Sequence, residues 1–384
     1  MKTVLFITLC KYPNGDASAK RYEVFMRYFK DKGYQMIFLG MGNGDYKKEE
    51  IIDGVNVVSF RKYSKPNAIQ KIINHAFIKT RILKYAIQKH FNADIVFVDP
   101  RFFKLFKRNK MHFTSEKIIY SAVEYYSPSE YRFNGLFSYS YKQNVYFNEK
   151  FKSNDGRIIA ISSYLENVFK QRNIKTVRIP FVLNNKDNVQ QIIERNDDLF
   201  KFIYCGNPRK KDSLLKMLIA FSNVSNECSH NFEVNIFGVT NEWLERQNID
   251  REIKQVITSF TKFHGLKKYN FVSLEYFNND FSILLRPEDE RYAKAGFPTK
   301  ISESLEHAIP PVTNFTSDLG LYLKDKYNCV ECVGDTIDSF AVAIKKALAL
   351  DKKQIVEMKR NAFKTAKEEL DIHSFYNELD YILE

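Results

Sequence analysis

The chain has 384 residues and a formal net charge of +13, with 44% hydrophobic and 15% aromatic residues. This length exceeds what one hydrophobic core usually organises, so two domains are expected, and the composition excludes a disordered or collagen-like protein. No stretch approaches the ~20 uninterrupted apolar residues that a membrane-spanning helix needs, and we find no signal-peptide pattern. The five scattered cysteines favour a reducing cytoplasm over a secreted disulfide framework.

The positive charge is concentrated in the first half of the chain. Residues 1–184 carry 32 Lys and Arg against 15 Asp and Glu, whereas residues 185–384 carry 27 against 31. This asymmetry predicts an anionic partner for the first half. Nucleic acid is not expected as that partner, because the sequence lacks zinc-finger spacing, an RNP-like aromatic motif and a disordered basic tail.

Residues 61–110 are the most basic part of that half. In residues 101–110 the cations alternate with Phe102, Phe103 and Phe106. Such a pattern suits an anionic membrane surface with an apolar layer beneath it, and we predict peripheral contact with the inner face of the cell membrane. The alternative interpretation is that these cations lie on the solvated faces of ordinary helices.

Short apolar runs alternate with helical patterns from the first residue onward. A helix with apolar residues at Tyr22, Phe25, Met26 and Phe29 follows the first run. This alternation is typical of βαβ units with a mostly parallel sheet, so we predict a doubly wound domain over residues 1–184. Its predicted strands are Val4–Thr8, Gln35–Leu39, Val55–Phe60, Ile95–Val98, Ile118–Ala122 and Ile158–Ser162.

The polar segment 184–198 predicts a domain boundary. A second Rossmann-like domain is expected over residues 185–365, and residues 366–384 are predicted to form a helix that packs back toward the first domain. The fold class is therefore α/β, with two doubly wound domains facing each other across a cleft. The predicted strands of the second domain are Phe200–Cys205, Val234–Phe237, Phe281–Leu285 and a further strand resuming at Val312.

The loop after Phe200–Cys205 has the composition of a phosphate site. Gly206 permits a tight turn, Arg209, Lys210 and Lys211 supply cations, and Asp212 or Ser213 is predicted to cap the next helix. Backbone N–H groups and cations at the carboxyl end of a strand suit a diphosphate. A glycine turn beside surface lysines also occurs without any ligand.

A second candidate segment is Lys294-Ala-Gly-Phe-Pro-Thr-Lys-Ile-Ser-Glu, which leads into Pro311-Val312. Thr299 is predicted to cap a helix with a buried stripe, and Lys300, Glu303 and His307 are predicted to share the opposite face. A phosphate at the helix start and a ribose on the Glu303 carboxylate would use this face. The alternative is an exposed amphipathic helix with an ordinary ion pair.

This segment resembles the donor-binding helix of retaining GT-B glycosyltransferases of the family 4 type, in which Pro-Thr-Lys-x-x-Glu precedes a small-residue turn and Pro-Val. The resemblance implies that Glu303 holds the ribose and that the backbone from Phe297 through Pro298 and Thr299 to Lys300 meets the diphosphate. It also implies that Gly206, Arg209 and Lys211 contact the phosphates, with Lys210 as an alternative to Lys211.

One residue departs from the family pattern. The family often shows Glu-x7-Glu, and Ala295 stands where the first Glu would be. That Glu usually lies near the transferred sugar, so the sugar identity stays open. Lys294, Arg286 and Arg291 are the candidates for replacing its contacts.

The first domain contributes two further candidates under the resemblance. The loop after the first strand contains Gly15, and Lys20 and Arg21 are predicted to contact an anion of the donor or acceptor. Glu124 is predicted at the end of a buried strand, where a carboxylate orients or deprotonates an acceptor hydroxyl. The alternative is a structural glutamate beside tyrosines.

The predicted function is transfer of a sugar from a UDP- or GDP-type nucleotide sugar to a saccharide or lipid-linked saccharide, with retention, in surface polysaccharide or glycoconjugate biosynthesis. No Asp-x-Asp motif is present, so we expect no divalent metal and no cofactor beyond the co-substrate. The alternatives are a non-catalytic GT-B protein that binds nucleotide or acts as a scaffold, and a GT-B epimerase or phosphorylase. The expected location is the cytoplasm.

Overall fold

A computed structural model describes residues 2–13, 15, 17–42, 47–61, 68–183, 198–208, 211–227 and 231–384. The chain forms two compact units: unit 1 comprises Met1–Asn184 and Ile372–Glu384, and unit 2 comprises Asn185–Asp371. The predicted linker lies outside the described residues except for Asp198. The second predicted boundary, 365/366, falls inside a helix, and the chain passes to unit 1 only after Asp371.

Unit 1 is a sheet with helices on both faces. Its strands are β1 (Thr3–Ile7), β2 (Gln35–Gly42), β3 (Lys47–Ile52), β4 (Val55–Arg61), β5 (Ile95–Val98), β6 (Lys117–Ala122), β7 (Arg157–Ala160) and β8 (Thr176–Arg178). Its helices before the linker are α1 (Ala17–Asp31), α2 (Ala68–His90), α3 (Phe103–Asn109), α4 (Tyr139–Lys150) and α5 (Ser163–Lys170).

The strand order of unit 1 is β3-β4-β2-β1-β5-β6-β7-β8, parallel except for β3, which runs antiparallel to β4. The sequence did not predict β3, because its Lys-Lys-Glu-Glu-Ile-Ile has no apolar run and an edge strand can expose its side chains. The winding reverses between β1 and β5. The carboxyl ends of these two strands therefore flank the place where a doubly wound sheet binds ligands.

Unit 2 is a second parallel sheet. Its strands are β9 (Phe200–Cys205), β10 (Phe232–Phe237), β11 (Thr261–Gly265), β12 (Phe281–Leu284), β13 (Pro311–Thr313) and β14 (Val330–Glu331), in the order β11-β10-β9-β12-β13-β14. Its helices are α6 (Leu214–Glu227), α7 (Asn241–Glu245), α8 (Arg251–Phe260), α9 (Tyr269–Phe277), α10 (Arg291–Ala295), α11 (Thr299–Glu306), α12 (Ile337–Leu348) and α13 (Lys352–Glu369). Here the winding reverses between β9 and β12.

Aromatic packing fixes the core of each unit. In unit 1 the rings of Phe6 on β1 and Phe97 on β5 stack with centroids 5.1 Å apart, and in unit 2 Phe202 on β9 and Phe281 on β12 stack at 5.6 Å. These pairs join the strands on either side of each reversal. The strand ends at both candidate sites are thus held by buried contacts.

The C-terminal residues complete the core of unit 1. They form α14 (Tyr376–Leu383), whose Leu379 is fully buried in the same apolar cluster as Phe25 and Phe29 of α1. The hydroxyl of Tyr28 donates a hydrogen bond to Asp380 at 2.6 Å. Unit 1 is therefore built from both ends of the chain.

The phenylalanines of the basic segment belong to the core. Phe102, Phe103 and Phe106 are fully buried, and Phe103 packs on Phe151 with centroids 5.2 Å apart. The expectation that these three rings form an apolar layer toward a membrane is therefore wrong. α3 is amphipathic, and its rings face inward while its cations face outward. Residues 62–67 of the basic region lie outside the described residues.

Candidate functional site

The glycine that ends β9 lies against the lysine that begins α11. Gly206 has φ of 135°, and a Cβ on it would lie 2.7 Å from Cε and 3.0 Å from Nζ of Lys300. Any other residue would be strained by its backbone and would displace the lysine. The structure thus brings together two residues that the sequence assigned to the donor site, although 94 positions separate them.

A buried carboxylate positions Lys300. Its Nζ lies 2.8 Å from Oδ2 of Asp212, which also accepts a 2.8 Å hydrogen bond from the Tyr204 hydroxyl. The same ammonium lies 5.3 Å from the centre of the Tyr204 ring. Burial, together with the charge of Asp212, raises the pKa of Tyr204 well above its usual value. Tyr204 is therefore a hydrogen-bond donor, and Asp212 orients the lysine.

The start of α11 differs from the predicted cap. Pro298 occupies the N-cap position with φ −75° and ψ 110°, and Thr299 is the first helical residue, so the prediction that Thr299 caps the helix is wrong. Proline suits an extended residue at a helix boundary. The N–H groups of Thr299 and Lys300 have no acceptor within the helix and are available to an anion.

Glu303 lies one turn further along α11 and is half-buried. Burial first, and then the nearby charge of Glu303, raise the pKa of Cys205 at the end of β9 to about 12. His307 does not share the exposed face as predicted, because the helix ends at Glu306 and the ring turns inward. Its Nδ1 lies 2.6 Å from the carbonyl oxygen of Glu303 and its Nε2 lies 2.6 Å from Oγ of Ser273.

The remaining predicted donor residues of unit 2 differ in burial and in contacts. The Tyr292 hydroxyl donates to the Lys211 carbonyl at 3.5 Å, which links the loop after β9 to α10. Lys294 is exposed, and its Nζ lies 3.9 Å from Asp289. Phe297 is buried and packs edge-on against Tyr322. Arg209 and Lys210 lie outside the described residues.

The structure leaves no space at position 295 for the glutamate that the family pattern has there. Ala295 is fully buried, so a glutamate there would have to displace its neighbours. Arg286, at the end of β12, is also buried, and its guanidinium carbon lies 5.5 Å from the centre of the Tyr292 ring. Asn314 fixes its backbone, because the Asn314 side chain accepts from the Arg286 N–H at 3.0 Å and donates to its carbonyl at 2.8 Å.

Unit 1 has a second candidate site at the ends of β1, β5 and β6. A cavity of about 270 Å³ there is lined by Arg21, Asp99, Arg101 and Glu124 together with aromatic and hydroxyl side chains. Gly15 belongs to the loop after β1, where a Cβ would lie 2.3 Å from the Lys11 carbonyl oxygen. Gly15 and the half-buried Lys20 are not among the lining residues.

Arg21, a predicted anion contact, anchors the strand ends beneath the cavity. It is buried and donates to Oγ of Ser121 at 2.8 Å and to the carbonyl oxygens of Pro180 at 2.6 Å and Ile179 at 2.8 Å. Burial lowers the pKa of its guanidinium. These bonds give Arg21 a structural role in addition to its place in the cavity wall.

Glu124 is held on both its backbone and its carboxylate. The Tyr126 hydroxyl donates to Oε2 of Glu124 at 2.5 Å, and the side chains of Asn144 and Asn148 donate to its carbonyl oxygen at 2.8 and 3.0 Å. Burial and the Glu124 charge raise the pKa of Tyr126, so the hydroxyl stays protonated. The carboxylate is thus held in one orientation in the wall of the cavity, as a general base requires.

Sequence reasoning missed the Asp99–Arg101 pair at the end of β5. The Arg101 guanidinium donates to both carboxylate oxygens of Asp99, and the Arg101 N–H donates to Oδ1 at 2.8 Å. From the sequence alone, Arg101 belongs only to the basic region 61–110. The sequence feature that points to this pair is Asp99-Pro100 directly after the apolar strand β5, where the winding of the sheet reverses.

This pair makes the stability of unit 1 depend on pH. Burial by itself raises the pKa of Asp99, but the Arg101 guanidinium and the donated hydrogen bonds hold it below its usual range. Because the folded-state pKa lies below the unfolded value of about 3.9, the pair stabilises unit 1 above pH ~4, and this stabilisation is lost as pH falls through the folded-state pKa.

We expect Asp99→Asn to lower the free energy of unfolding by about 1–3 kcal/mol near neutral pH. Urea denaturation should show that the difference in free energy of unfolding between variant and wild type becomes smaller below about pH 4. The exposed Glu116→Gln serves as control and should change little. A gap that widens in acid would contradict the account.

Comparisons with known proteins show the fold of the chain. No protein-family model and no curated protein matches the sequence. Three similar solved structures are sucrose-phosphate synthase from Thermosynechococcus elongatus (TM-score 0.70, 11% identity, 99% of this chain and 98% of that chain), Anabaena HepE in complex with UDP-glucose (0.65, 14%, 100% and 99%) and WaaG, a glycosyltransferase involved in lipopolysaccharide biosynthesis (0.67, 11%, 100% and 99%). The chain therefore has the GT-B fold, with two Rossmann-like domains.

Proposed function

We propose that this chain is a glycosyltransferase that moves a sugar from a nucleoside-diphosphate sugar to a saccharide or lipid-linked saccharide. The observation that carries the proposal is the meeting of Gly206, Lys300 and the start of α11 at the switch point of unit 2. The arrangement supplies a turn without a Cβ, a positioned cation and free helix N–H groups, which together suit a diphosphate. The shared fold with sugar-nucleotide enzymes supports it.

In this proposal the donor lies across the ends of β9 and β12. Lys300, with Arg209 and Lys211, neutralises the diphosphate, and Glu303 accepts hydrogen bonds from the ribose hydroxyls. Protein cations would then carry the leaving-group charge without a divalent metal. A UDP- or GDP-type donor is proposed, and the HepE structure holds UDP-glucose.

The acceptor is proposed to use the unit 1 cavity. Glu124 would orient or deprotonate the acceptor hydroxyl from its fixed position against Tyr126. Under the family resemblance the reaction retains anomeric configuration, with the leaving phosphate assisting deprotonation. Arg21, Arg101 and the hydroxyl groups of the cavity wall would supply the polar contacts that a saccharide needs.

We further propose a role in surface polysaccharide or glycoconjugate assembly, at the cytoplasmic face of the cell membrane. The excess of Lys and Arg in residues 1–184 supports this placement, as does the fold shared with WaaG, an enzyme of lipopolysaccharide biosynthesis. In the part of the chain that the structure describes, the helices lack the length and hydrophobicity of a membrane span.

Thermal shift with UDP, GDP, ADP and CMP tests the donor site. We expect one nucleotide to stabilise the wild type, by about 2.7 kcal/mol at 100 times its dissociation constant. Glu303→Ala should lose most of that gain, because the ribose hydroxyls lose their acceptor. Glu306→Ala, a half-buried glutamate of the same helix, is the matched control and should keep it.

If no nucleotide stabilises the wild type, the donor site is wrongly assigned. If the two glutamate variants respond alike, the ribose role of Glu303 is wrong. Nucleotide binding without donor hydrolysis or transfer would favour the non-catalytic alternative, and conversion of the donor sugar into its epimer would favour the epimerase.

Glu124→Gln tests the acceptor side with the same nucleotide sugar. We expect transfer or donor hydrolysis to fall by about 10²–10⁴-fold, because the amide cannot take a proton, while stabilisation by the nucleotide stays unchanged. Glu149→Gln, an exposed carboxylate of α4, is the control for charge. Full activity in Glu124→Gln would reduce Glu124 to a structural role.

A further inference from the structure

A turn in unit 1 presents large apolar side chains to solvent. Between β6 and α4, Phe133, Leu136 and Phe137 are 65%, 60% and 81% exposed. The rings of Phe133 and Phe137 lie 6.1 Å apart. Soluble proteins rarely place three such residues together on their surface without a partner.

The turn is held in shape by the fold. Phe133 and Asn134 adopt left-handed φ of 52° and 49°, and Gly135 follows with φ of 73°. A Cβ on Gly135 would lie 2.2 Å from the Tyr141 ring of α4, so the middle of the turn packs down on that helix. The exposure of its apolar residues is therefore a consequence of an anchored conformation.

The chain that follows the turn is basic, whereas the short helix Pro128–Glu130 before it packs against the turn and carries one carboxylate, Glu130. No Asp or Glu occurs in residues 131–148 or in residues 100–115, and these two stretches pack together through α3 and α4. Lys142 is exposed one turn after Tyr139, and Lys104 of α3 lies with Nζ 5.7 Å from the centre of the Tyr146 ring. α3 and α4, which pack together next to the turn, thus both carry exposed cations.

We propose that residues 133–137, here named the apolar turn, insert into the interface of an anionic bilayer while Lys104 and Lys142 contact its headgroups. Apolar side chains flanked by cations are the composition that binds such a surface. A second copy of this chain fits less well, because the same basic surface would face itself. The membrane contact that the sequence predicts for Phe102, Phe103 and Phe106 is thus assigned to the apolar turn instead.

The inference deepens the proposed function by naming the membrane contact of an enzyme with a lipid-linked acceptor. The two residues that flank the segment 132–139, Tyr131 and Ser140, line the unit 1 cavity that holds Glu124. A membrane at the apolar turn would therefore place a lipid-linked saccharide close to this cavity. The contact itself is a property of unit 1 and does not require nucleotide binding.

Co-sedimentation with phosphatidylcholine vesicles, with and without phosphatidylglycerol, tests the proposal on the full chain. We expect the wild type to bind the anionic vesicles and the triple variant Phe133→Ser, Leu136→Ser, Phe137→Ser to bind them about tenfold more weakly. Lys104→Glu with Lys142→Glu should lose the preference for phosphatidylglycerol. Leu266→Ser with Leu274→Ser removes comparably exposed apolar residues from unit 2 and should bind as the wild type does.

Depth of insertion gives a second measurement that does not depend on a loss of binding. Trp243 is the one tryptophan of the chain, so Leu136→Trp in a Trp243→Phe background reports only from the turn. Brominated lipids should quench this tryptophan. Absence of quenching, equal binding by the triple variant, or concentration-dependent self-association without vesicle binding would overturn the proposal.

Thermal shift with the stabilising nucleotide separates this proposal from the donor-site assignment. The triple variant should keep the full nucleotide response, because the apolar turn is not part of unit 2. If vesicle binding is lost in that variant while no chain binds nucleotide, the proposed function fails and the membrane contact stands.

Discussion

A parallel sheet buries both of its faces under helices, so the ends of its strands are where polar chemistry can be placed. This constraint applies twice in the chain. The winding reverses between β1 and β5 in unit 1 and between β9 and β12 in unit 2. Both candidate sites lie at the carboxyl ends of these strands, and buried aromatic pairs hold each pair of strands together.

In unit 2 the constraint creates a positioned charge. Asp212 is buried, and the Tyr204 hydroxyl and the Lys300 ammonium both bond to its Oδ2. Removal of either partner of Asp212 would destabilise the fold strongly, because it would leave a buried negative charge uncompensated. Lys300 is therefore held near the start of α11 before any ligand arrives. A preorganised cation binds a diphosphate more tightly than a mobile one, because less side-chain entropy is lost on binding.

The sequence predicted those features that depend on local patterns. Apolar runs located most strands, and the combination of Gly206, Lys300 and Glu303 was identified from motif residues that the fold brings to one strand end. The charged edge strand β3 was not predicted, because it has no apolar run. The residue type of Thr299 predicts a helix cap, whereas the preceding proline occupies the cap position.

Other features depend on which face of an element is covered, and one sequence does not reveal this. The alternation of cations with Phe102, Phe103 and Phe106 fits a membrane surface and a buried helix equally well, and packing against α4 decides for the core. Conversely, Phe133, Leu136 and Phe137 have the i, i+3, i+4 spacing of a buried helix stripe, and only the anchored turn shows them exposed. The Asp99–Arg101 pair is likewise recognisable as part of a site only from the structure, because the winding of the sheet reverses beside it.

The most direct test of the account is the affinity of the stabilising nucleoside diphosphate for Gly206→Ala, measured by titration calorimetry. Gly334→Ala is the matched control, since Gly334 also has a left-handed φ, of 92°, but a Cβ there would meet nothing closer than 3.8 Å. The account predicts that Gly206→Ala weakens binding by about tenfold or more through the displaced Lys300, while Gly334→Ala leaves it unchanged. Wild-type affinity in Gly206→Ala would contradict a donor site built on Gly206 and Lys300.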